Sequence, residues 1–188
     1  MGEGGLDLGF APLFAGGSEA AYAAGETIFT FGSAARRVYL ILRGRVRISR
    51  LSPDGRELTL AVIGPGEILG EVALLDGGER TAEAAAQTEV RLIGLTRAQF
   101  HAAIAAHPEN ALRVIAALCQ RLREADRLAE EITFYGVKER LNSLIGRLTE
   151  KKQDMLLAEL THQEIAEMIG TSRESVTRAM AELRKERI

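Results

Sequence analysis

The sequence predicts an α+β fold in which an antiparallel β-roll is followed by a long helix and a C-terminal helix-turn-helix. From Tyr22 to Leu95, short apolar runs are separated by glycine-rich turn signals about every 8–12 residues, a spacing typical of an antiparallel barrel or jelly-roll. Between residues 108 and 135, apolar side chains recur at steps of three and four, which indicates one face of a long helix. After Thr161, two capped amphipathic segments flank Gly170, as in two short helices joined by a tight turn.

Composition excludes several classes of protein. The 188 residues fit one large domain or two small ones, and 46% of them are hydrophobic, which is ample for a core. The net charge of −2 excludes a polybasic nucleic-acid coat or a membrane-surface binder. No apolar run reaches the roughly 18 residues of a membrane helix, and the amino terminus lacks a basic segment before an apolar core. We therefore expect a soluble cytoplasmic protein with no membrane contact.

The residue types that carry catalysis and metal binding are sparse. Cys119 is the single cysteine, so no intrachain disulfide or Cys-x-x-Cys site is possible. His101, His107 and His162 have no metal-ligand spacing among themselves, and no nucleophile–base pair is evident. We expect no metal site, no catalytic residues and no enzyme activity.

The long helix carries an apolar repeat typical of a coiled-coil seam. A helix of about 25 residues would extend for nearly 40 Å. The repeat consists of Ile115, Leu118, Leu122, Ala125, Ala129 and Ile132. It indicates packing against a second copy of the helix, or against the helix's own domain.

Gly136 interrupts the helical pattern and marks a hinge between domains. We accordingly predict a β-roll domain over residues 1–107, a long helix with its hinge over 108–136, and a helix-turn-helix domain over 137–188. The last domain begins with an amphipathic helix from Val137 to Thr149. The charged residues 150–154 that follow form a solvated loop, which can also offer a contact to a polymerase.

The C-terminal segment has the local signals of a helix-turn-helix. Thr161 and Glu164 are spaced as a capping box, and Gly170 supplies a left-handed stop. The exposed side of the second helix carries Arg173, Glu174, Thr177 and Arg178. A hairpin of helices with a solvated charged face is the alternative, and charge does not decide, because residues 161–188 contain five basic and five acidic side chains.

One stretch within the roll has residue types suited to an anionic ligand. Gly70 leads into a short helical turn whose backbone amides can attract an anion. Arg80 brings a guanidinium and Thr81 a hydroxyl, and Glu71 can accept from a ribose hydroxyl. The alternative is a surface ion pair between Glu71 and Arg80.

These two stretches resemble one known family. The C-terminal segment is similar to the DNA-binding module of the cyclic-AMP receptor protein family of bacterial transcription regulators. The matching residues are Thr161, Gln163, Glu164, Ile165, Gly170, Ser172, Arg173, Glu174, Val176 and Arg178. The stretch from Gly70 to Ala82 resembles the phosphate-binding cassette of cyclic-nucleotide domains, Gly-Glu-(Leu or Val)-Ala followed by Arg-(Ser or Thr)-Ala. The implied fold is a cyclic-nucleotide-binding β-roll, a dimerisation helix and a winged helix-turn-helix, with the wing missing after Ile188.

The resemblance implies cyclic AMP as the ligand of the roll. Glu71 would bind the ribose, Arg80 and Thr81 the cyclic phosphate, and the pocket would be lined by Gly70, Val72 and Ala73. The chain departs from the family where adjacent hydroxyl residues reach adenine, because Ala125 and Asp126 stand there. Arg121 or Arg123 can substitute, or Asp126 can accept from the adenine amino group.

The resemblance also implies a homodimer that binds palindromic half-sites in double-stranded DNA and contacts RNA polymerase. Arg173 and Arg178 would read guanine, and Glu174 would accept from cytosine on a TGTGA-like site. Phosphates would be held by Thr161, Gln163, Ser172 and Thr177. Glu174 has an alternative role as the capping-box partner of Thr171.

The predicted function is a homodimeric, sequence-specific transcription activator controlled by cyclic AMP. Two alternatives stay open: a ligand-independent, constitutive regulator of the same family, and a cyclic-nucleotide-binding regulatory module without direct DNA readout. A redox or gas sensor is disfavoured by the single cysteine.

Overall fold

In this computed structural model, residues 9–150 and 160–186 are described. The strands are β1 (Ser18–Tyr22), β2 (Thr27–Phe29), β3 (Arg37–Arg43), β4 (Val46–Leu51), β5 (Glu57–Ile63), β6 (Ile68–Leu69), β7 (Glu83–Ala86) and β8 (Val90–Thr96). The helices are α1 (Glu71–Asp76), α2 (Arg97–Ala106), α3 (Glu109–Phe134), α4 (Val137–Glu150), α5 (His162–Ile169) and α6 (Arg173–Glu186), and a short 3-10 helix covers Ala11–Phe14. Of the loop predicted at residues 150–154, Glu150 is instead the last residue of α4, and residues 151–154 lie outside the described residues.

The eight strands form two four-stranded sheets, in the orders β1-β8-β3-β6 and β2-β7-β4-β5. Strand β8 pairs antiparallel with both β1 and β3, and β7 pairs antiparallel with β2 and β4. The predicted antiparallel β-roll is therefore confirmed. The glycine turns reverse the chain between short strands, and each strand turns one face to the core between the two sheets.

The N-terminal segment is a short helix packed into the roll. Its apolar side chains Phe10, Leu13 and Phe14 are each 1% exposed. They join a buried cluster that also contains Phe100 of α2 and Val114 of α3. The burial of these three large side chains fixes this segment against the roll.

Helix α3 is 26 residues long, or about 39 Å at the usual rise per residue. Leu118 of its apolar repeat is half-buried and packs against the roll. The other five members are exposed, namely Ile115, Leu122, Ala125, Ala129 and Ile132. The helix ends at Phe134, and α4 starts at Val137, so the predicted interruption around Gly136 is confirmed.

Helices α4, α5 and α6 share one apolar core, formed by buried side chains that include Leu141, Ile165 and Val176. Gly170 ends α5 in the left-handed conformation, with φ of 64°. Arg140 of α4 is 8% exposed and donates to the carbonyl of Ile169 at 2.6 Å, a contact that satisfies a helix-end acceptor. The predicted helix-turn-helix is confirmed.

The described chain divides into two compact units. One contains residues 9–50 and 61–121, and the other contains residues 51–60, 122–150 and 160–186. The domain boundaries expected after residues 107 and 136 stay predictions. Within the described ranges, no helix combines the length and the apolar character that a membrane crossing requires.

Candidate functional sites

A cavity of about 60 Å³, partly open to solvent, lies in the first unit of the chain. It is lined by the predicted ligand residues Gly70, Glu71, Val72, Ala73, Arg80, Thr81 and Arg121, together with Phe29, Ile48, Leu69 and Ala82. The structure thus brings together seven of the ten residues named for this site. The remaining three, Arg123, Ala125 and Asp126, are exposed on α3 and do not belong to this lining.

Arg80 is fixed in the wall of the cavity and is only 3% exposed. Its Nη1 donates to the carbonyl of Gly70 at 2.6 Å, and its Nη2 donates to the carbonyl of Arg37 at 2.5 Å. The guanidinium carbon lies 4.1 Å from the centre of the Phe29 ring, within range of a cation–π interaction. Burial lowers the pKa of Arg80, which the nearby Tyr39 and Glu71 oppose, and the group stays charged.

Gly70 is required by both its conformation and its neighbour. Its φ is 81°, a left-handed value that side chains with a Cβ rarely adopt. A Cβ built at this position would lie 2.3 Å from Nη1 of Arg80. The glycine therefore allows the guanidinium to approach the backbone at the start of α1.

Glu71 is 1% exposed, and its Oε1 accepts a hydrogen bond from Nη1 of Arg121. Arg121 also donates through Nη2 to the carbonyl of Ile68. The surface ion pair considered between Glu71 and Arg80 is wrong, because both side chains are buried and the hydrogen-bond partner of Glu71 is Arg121. Phe29 and Arg37 were not foreseen, since nothing in a strand sequence separates a ring beneath a cation from an ordinary core residue.

Two buried polar atoms at the cavity have no hydrogen-bond partner among the described residues, Nε of Arg80 and Oε2 of Glu71. One is a donor on a cation and the other is an acceptor on an anion. Buried polar groups are normally paired, so these two atoms fit a ligand that carries an anionic oxygen and a hydroxyl. The described residues contain no group of three or more potential metal ligands.

The start of α5 has the predicted capping box. The Thr161 hydroxyl accepts from the amide of Glu164 at 3.2 Å, and the Thr161 amide donates to the Glu164 carboxylate at 2.8 Å. Gln163 is exposed and donates to Glu167 at 2.9 Å. Thr161 and Gln163 therefore lie at the solvent-facing start of the first helix of the pair.

The second helix and its capping residue expose the side chains predicted to contact DNA, namely Ser172, Arg173, Glu174, Thr177 and Arg178. The cap of α6 is Ser172, whose hydroxyl accepts from the amide of Ser175 at 3.2 Å. The alternative role of Glu174 as a capping partner of Thr171 is wrong, because the Thr171 amide donates to the carbonyl of Ala166 and the capping residue is Ser172. The amide of Glu174 itself and the Ser172 hydroxyl lower the pKa of Glu174, so its carboxylate is an acceptor.

His162, at the first position of α5, was not predicted as a site residue. Its Nδ1 lies 2.9 Å from Oγ1 of Thr177 on α6. The only sequence signal was its place directly after the capping residue Thr161, which does not reveal a partner 15 positions away.

A β-roll with a polar cavity, joined through a long helix to a helix-turn-helix, defines a transcription regulator with an effector domain. Residues 19–107 match the cyclic nucleotide-binding domain family, and residues 139–188 match the Crp-like helix-turn-helix domain family. The chain belongs to the cyclic AMP receptor protein (CRP/FNR) family of bacterial transcription regulators. The resemblance, the fold class and the DNA-binding helix-turn-helix predicted from sequence are thereby confirmed.

Among its relatives, the cyclic AMP receptor protein of Thermus thermophilus is 38% identical over 165 residues, covering 88% of this chain and 76% of that protein. The CRP-like cAMP-activated global transcriptional regulator of Mycobacterium tuberculosis is 34% identical over 164 residues, covering 84% and 73%. The c-di-GMP responsive global regulator CLP of Xanthomonas campestris superposes with a TM-score of 0.79, covering 93% of this chain and 90% of that chain. Its 23% identity shows the fold alone.

Proposed function

We propose that the protein is a cytoplasmic, homodimeric, sequence-specific transcription activator whose DNA binding is controlled by cyclic AMP in the β-roll. The observation that carries the ligand assignment is the pair of buried, unpartnered atoms at the cavity, Nε of Arg80 and Oε2 of Glu71. The name of the M. tuberculosis relative, cAMP-activated global transcriptional regulator, supports the same ligand and the activator role. As an activator, the protein would also bind RNA polymerase.

The polar residues of the cavity match the two ends of a cyclic ribose phosphate. Arg80 would bind the phosphate through its free Nε–H, with Thr81 beside it, because a guanidinium recognises phosphate by charge and geometry together. Glu71 would accept from the ribose hydroxyl through Oε2, while Arg121 keeps Oε1. A water-sized group needs about 10–15 Å³, so a cavity of about 60 Å³ has room for this part of the ligand.

Arg121 offers a route from the ligand to the dimer. It is a residue of α3, and it donates both to Glu71 in the cavity lining and to the carbonyl of Ile68 in β6. A ligand that changes how Glu71 shares its oxygens would therefore bias the position of α3. A ligand can shift the equilibrium between two positions of α3 only if it binds these two states with different affinities.

The homodimer is supported by the exposed apolar stripe of α3. Ile115 is 53% exposed and Leu122 is 62% exposed, although both follow the coiled-coil repeat. Paired α3 helices would bury this stripe along a two-fold axis. Two recognition helices related by that axis fit half-sites about one helical turn of DNA apart.

For DNA readout, α6 is the recognition helix. Arg173 and Arg178 would donate to guanine, and the ionised Glu174 would accept from cytosine. The exposed polar side chains Gln163 and Ser172 would contact phosphates, whereas the hydroxyls of Thr161 and Thr177 donate their hydrogens to the Glu164 carboxylate and the Arg173 carbonyl. Phosphate contacts set the register of the helix on the duplex, and base contacts set the specificity.

The test is fluorescence anisotropy with a palindromic TGTGA-type duplex and a scrambled duplex of the same length, at fixed salt. Cyclic AMP should tighten binding to the palindrome about 5–150-fold, the usual range of allosteric coupling. Glu71→Gln and Arg80→Gln should abolish the effect of the nucleotide. Arg91→Gln is the control, because Arg91 is an exposed arginine of β8 that pairs with Glu19 at 2.6 Å and does not belong to the cavity lining.

Each other outcome identifies an alternative. Specific binding that is indifferent to nucleotide would make the protein a constitutive regulator. Stabilisation by cyclic AMP in a thermal melt without specific DNA binding would make it a nucleotide-binding module. A response to cyclic di-GMP instead of cyclic AMP would keep the regulator and replace its ligand.

A further inference from the structure

We propose that His162 is a proton-dependent contact to the DNA backbone, held in one tautomer by Thr177. The proposal rests on the DNA-binding role described above and adds pH as a determinant of affinity. It is carried by two hydrogen bonds that share the Thr177 hydroxyl, a contact of 2.9 Å to Nδ1 of His162 and one of 3.0 Å to the carbonyl of Arg173.

The shared hydroxyl assigns the proton on the histidine ring. A threonine hydroxyl has one hydrogen to donate, and the carbonyl of Arg173 can only accept. Thr177 therefore donates to Arg173 and accepts from His162, so that Nδ1 carries a hydrogen. In a neutral imidazole the other nitrogen, Nε2, is then an acceptor without a hydrogen.

The position of His162 suits a backbone contact. In a helix-turn-helix, the first helix crosses the DNA backbone while the second lies in the major groove. His162 is half-buried and begins the first helix, and its partner Thr177 is exposed on the second helix beside Arg178. Nε2 has no hydrogen-bond partner within residues 9–150 and 160–186.

The charged groups near His162 make the contacts given below, and a DNA phosphate is the anion to which a protonated His162 would donate. On α5, the Glu164 carboxylate is bonded to the Thr161 amide, and Glu167 is bonded to Gln163. On α6, the first two turns carry Arg173, Glu174 and Arg178, all exposed. From α4, Arg140 contacts the opposite end of α5, at the carbonyl of Ile169.

Protonation would reverse the sign of the interaction between His162 and a phosphate. The neutral tautomer turns a lone pair towards an anionic oxygen, whereas the imidazolium offers an Nε2–H and a positive charge. Histidine is the side chain that ordinarily changes charge between about pH 5 and 8. DNA affinity should therefore rise as the pH falls through this interval, with one proton taken up per half-site.

The experiment measures binding of the full chain to the palindromic and scrambled duplexes at about pH 6 and about pH 8, over a series of salt concentrations. For the unmodified protein, acidification should tighten binding about tenfold per half-site on both duplexes, since a backbone contact does not read sequence. The slope of log K against log salt should steepen by about 0.9 for each protonated His162.

Variants distinguish the contact of His162 from other groups of the protein that change charge between the two pH values. His162→Gln should remove the pH effect, and His162→Arg should bind tightly at both pH values with the steeper salt slope. Thr177→Val, which frees the tautomer, should reduce the pH effect, whereas Thr177→Ser should keep it. His107→Gln is the control, because His107 is an exposed histidine of the roll paired with Glu109 at 3.3 Å.

A pH effect that survives unchanged in His162→Gln would overturn the proposal, and so would equal affinities of the unmodified protein at both pH values. Either result can occur while the palindrome is still preferred, in which case the regulator function stands. If the protein did not prefer the palindrome but still showed a His162-dependent pH effect on both duplexes, sequence-specific readout would be refuted. The backbone contact of His162 would then stand.

Discussion

Gly70→Ala should disrupt the cavity by displacing Arg80, and a second glycine provides a matched comparison. Gly66 has nearly the same φ, 84° against 81° for Gly70. A Cβ added at Gly66 meets no atom within 4 Å, whereas a Cβ added at Gly70 would lie 2.3 Å from Nη1 of Arg80. The pair of alanine variants therefore shares the backbone cost and differs in the clash.

The magnitude follows from these contacts. Holding an alanine in the left-handed region costs about 1–2 kcal/mol at either position. In Gly70→Ala the guanidinium must also leave its bonds to the carbonyls of Gly70 and Arg37. Hydrogen bonds from charged groups contribute about 1.5–3 kcal/mol each. Part of this free energy is regained when the displaced guanidinium of Arg80 reaches the partly open cavity. We expect Gly70→Ala to cost about 2 kcal/mol more than Gly66→Ala.

Urea unfolding of the two variants measures this difference. The chain has no tryptophan, and Tyr22 and Tyr39 report on the roll through tyrosine fluorescence. With a urea dependence of about 2 kcal/mol per molar, the midpoint of Gly70→Ala should lie about 1 M below that of Gly66→Ala. Stabilisation by cyclic AMP should persist in Gly66→Ala and disappear in Gly70→Ala. Equal midpoints and equal ligand responses would refute the view that Arg80 is held in place by its carbonyl partners.

Three further predictions concern α3, the helix junction and the recognition helix. Leu122→Asp should shift the protein from dimer to monomer in sedimentation experiments, because it places a charge in the predicted seam. Leu112→Asp is the control and should leave the dimer intact, since Leu112 is 69% exposed and lies outside the seam. Glu131→Gln should lower the free energy of unfolding by about 2–3 kcal/mol, since the buried Glu131 carboxylate accepts from the partly exposed Arg147 at 2.6 Å. An unchanged urea midpoint would contradict this stabilising role of Glu131. Arg173→Ala should cost about 1–3 kcal/mol on the palindrome and relax discrimination at one base, and an equal loss on the scrambled duplex would contradict base reading.

The sequence alone sufficed for features that depend on neighbouring residues. The capping box of Thr161 and Glu164, the left-handed stop at Gly170 and the 26-residue helix follow from short-range spacing, and the structure has all three. The cassette of Gly70 to Thr81 was recognisable because its members lie within a dozen positions of each other. Local patterns of this kind survive folding, since the hydrogen bonds that satisfy them lie within a few residues along the chain.

Only the tertiary structure decided which distant side chains meet. The partner of Glu71 is Arg121, 50 positions away, and the partner of His162 is Thr177 on the following helix. The burial of Phe10 at the start of the chain likewise depends on helices formed a hundred residues later. Such contacts are set by strand register and helix packing, which a one-residue shift would change entirely, and no local spacing in the sequence specifies them.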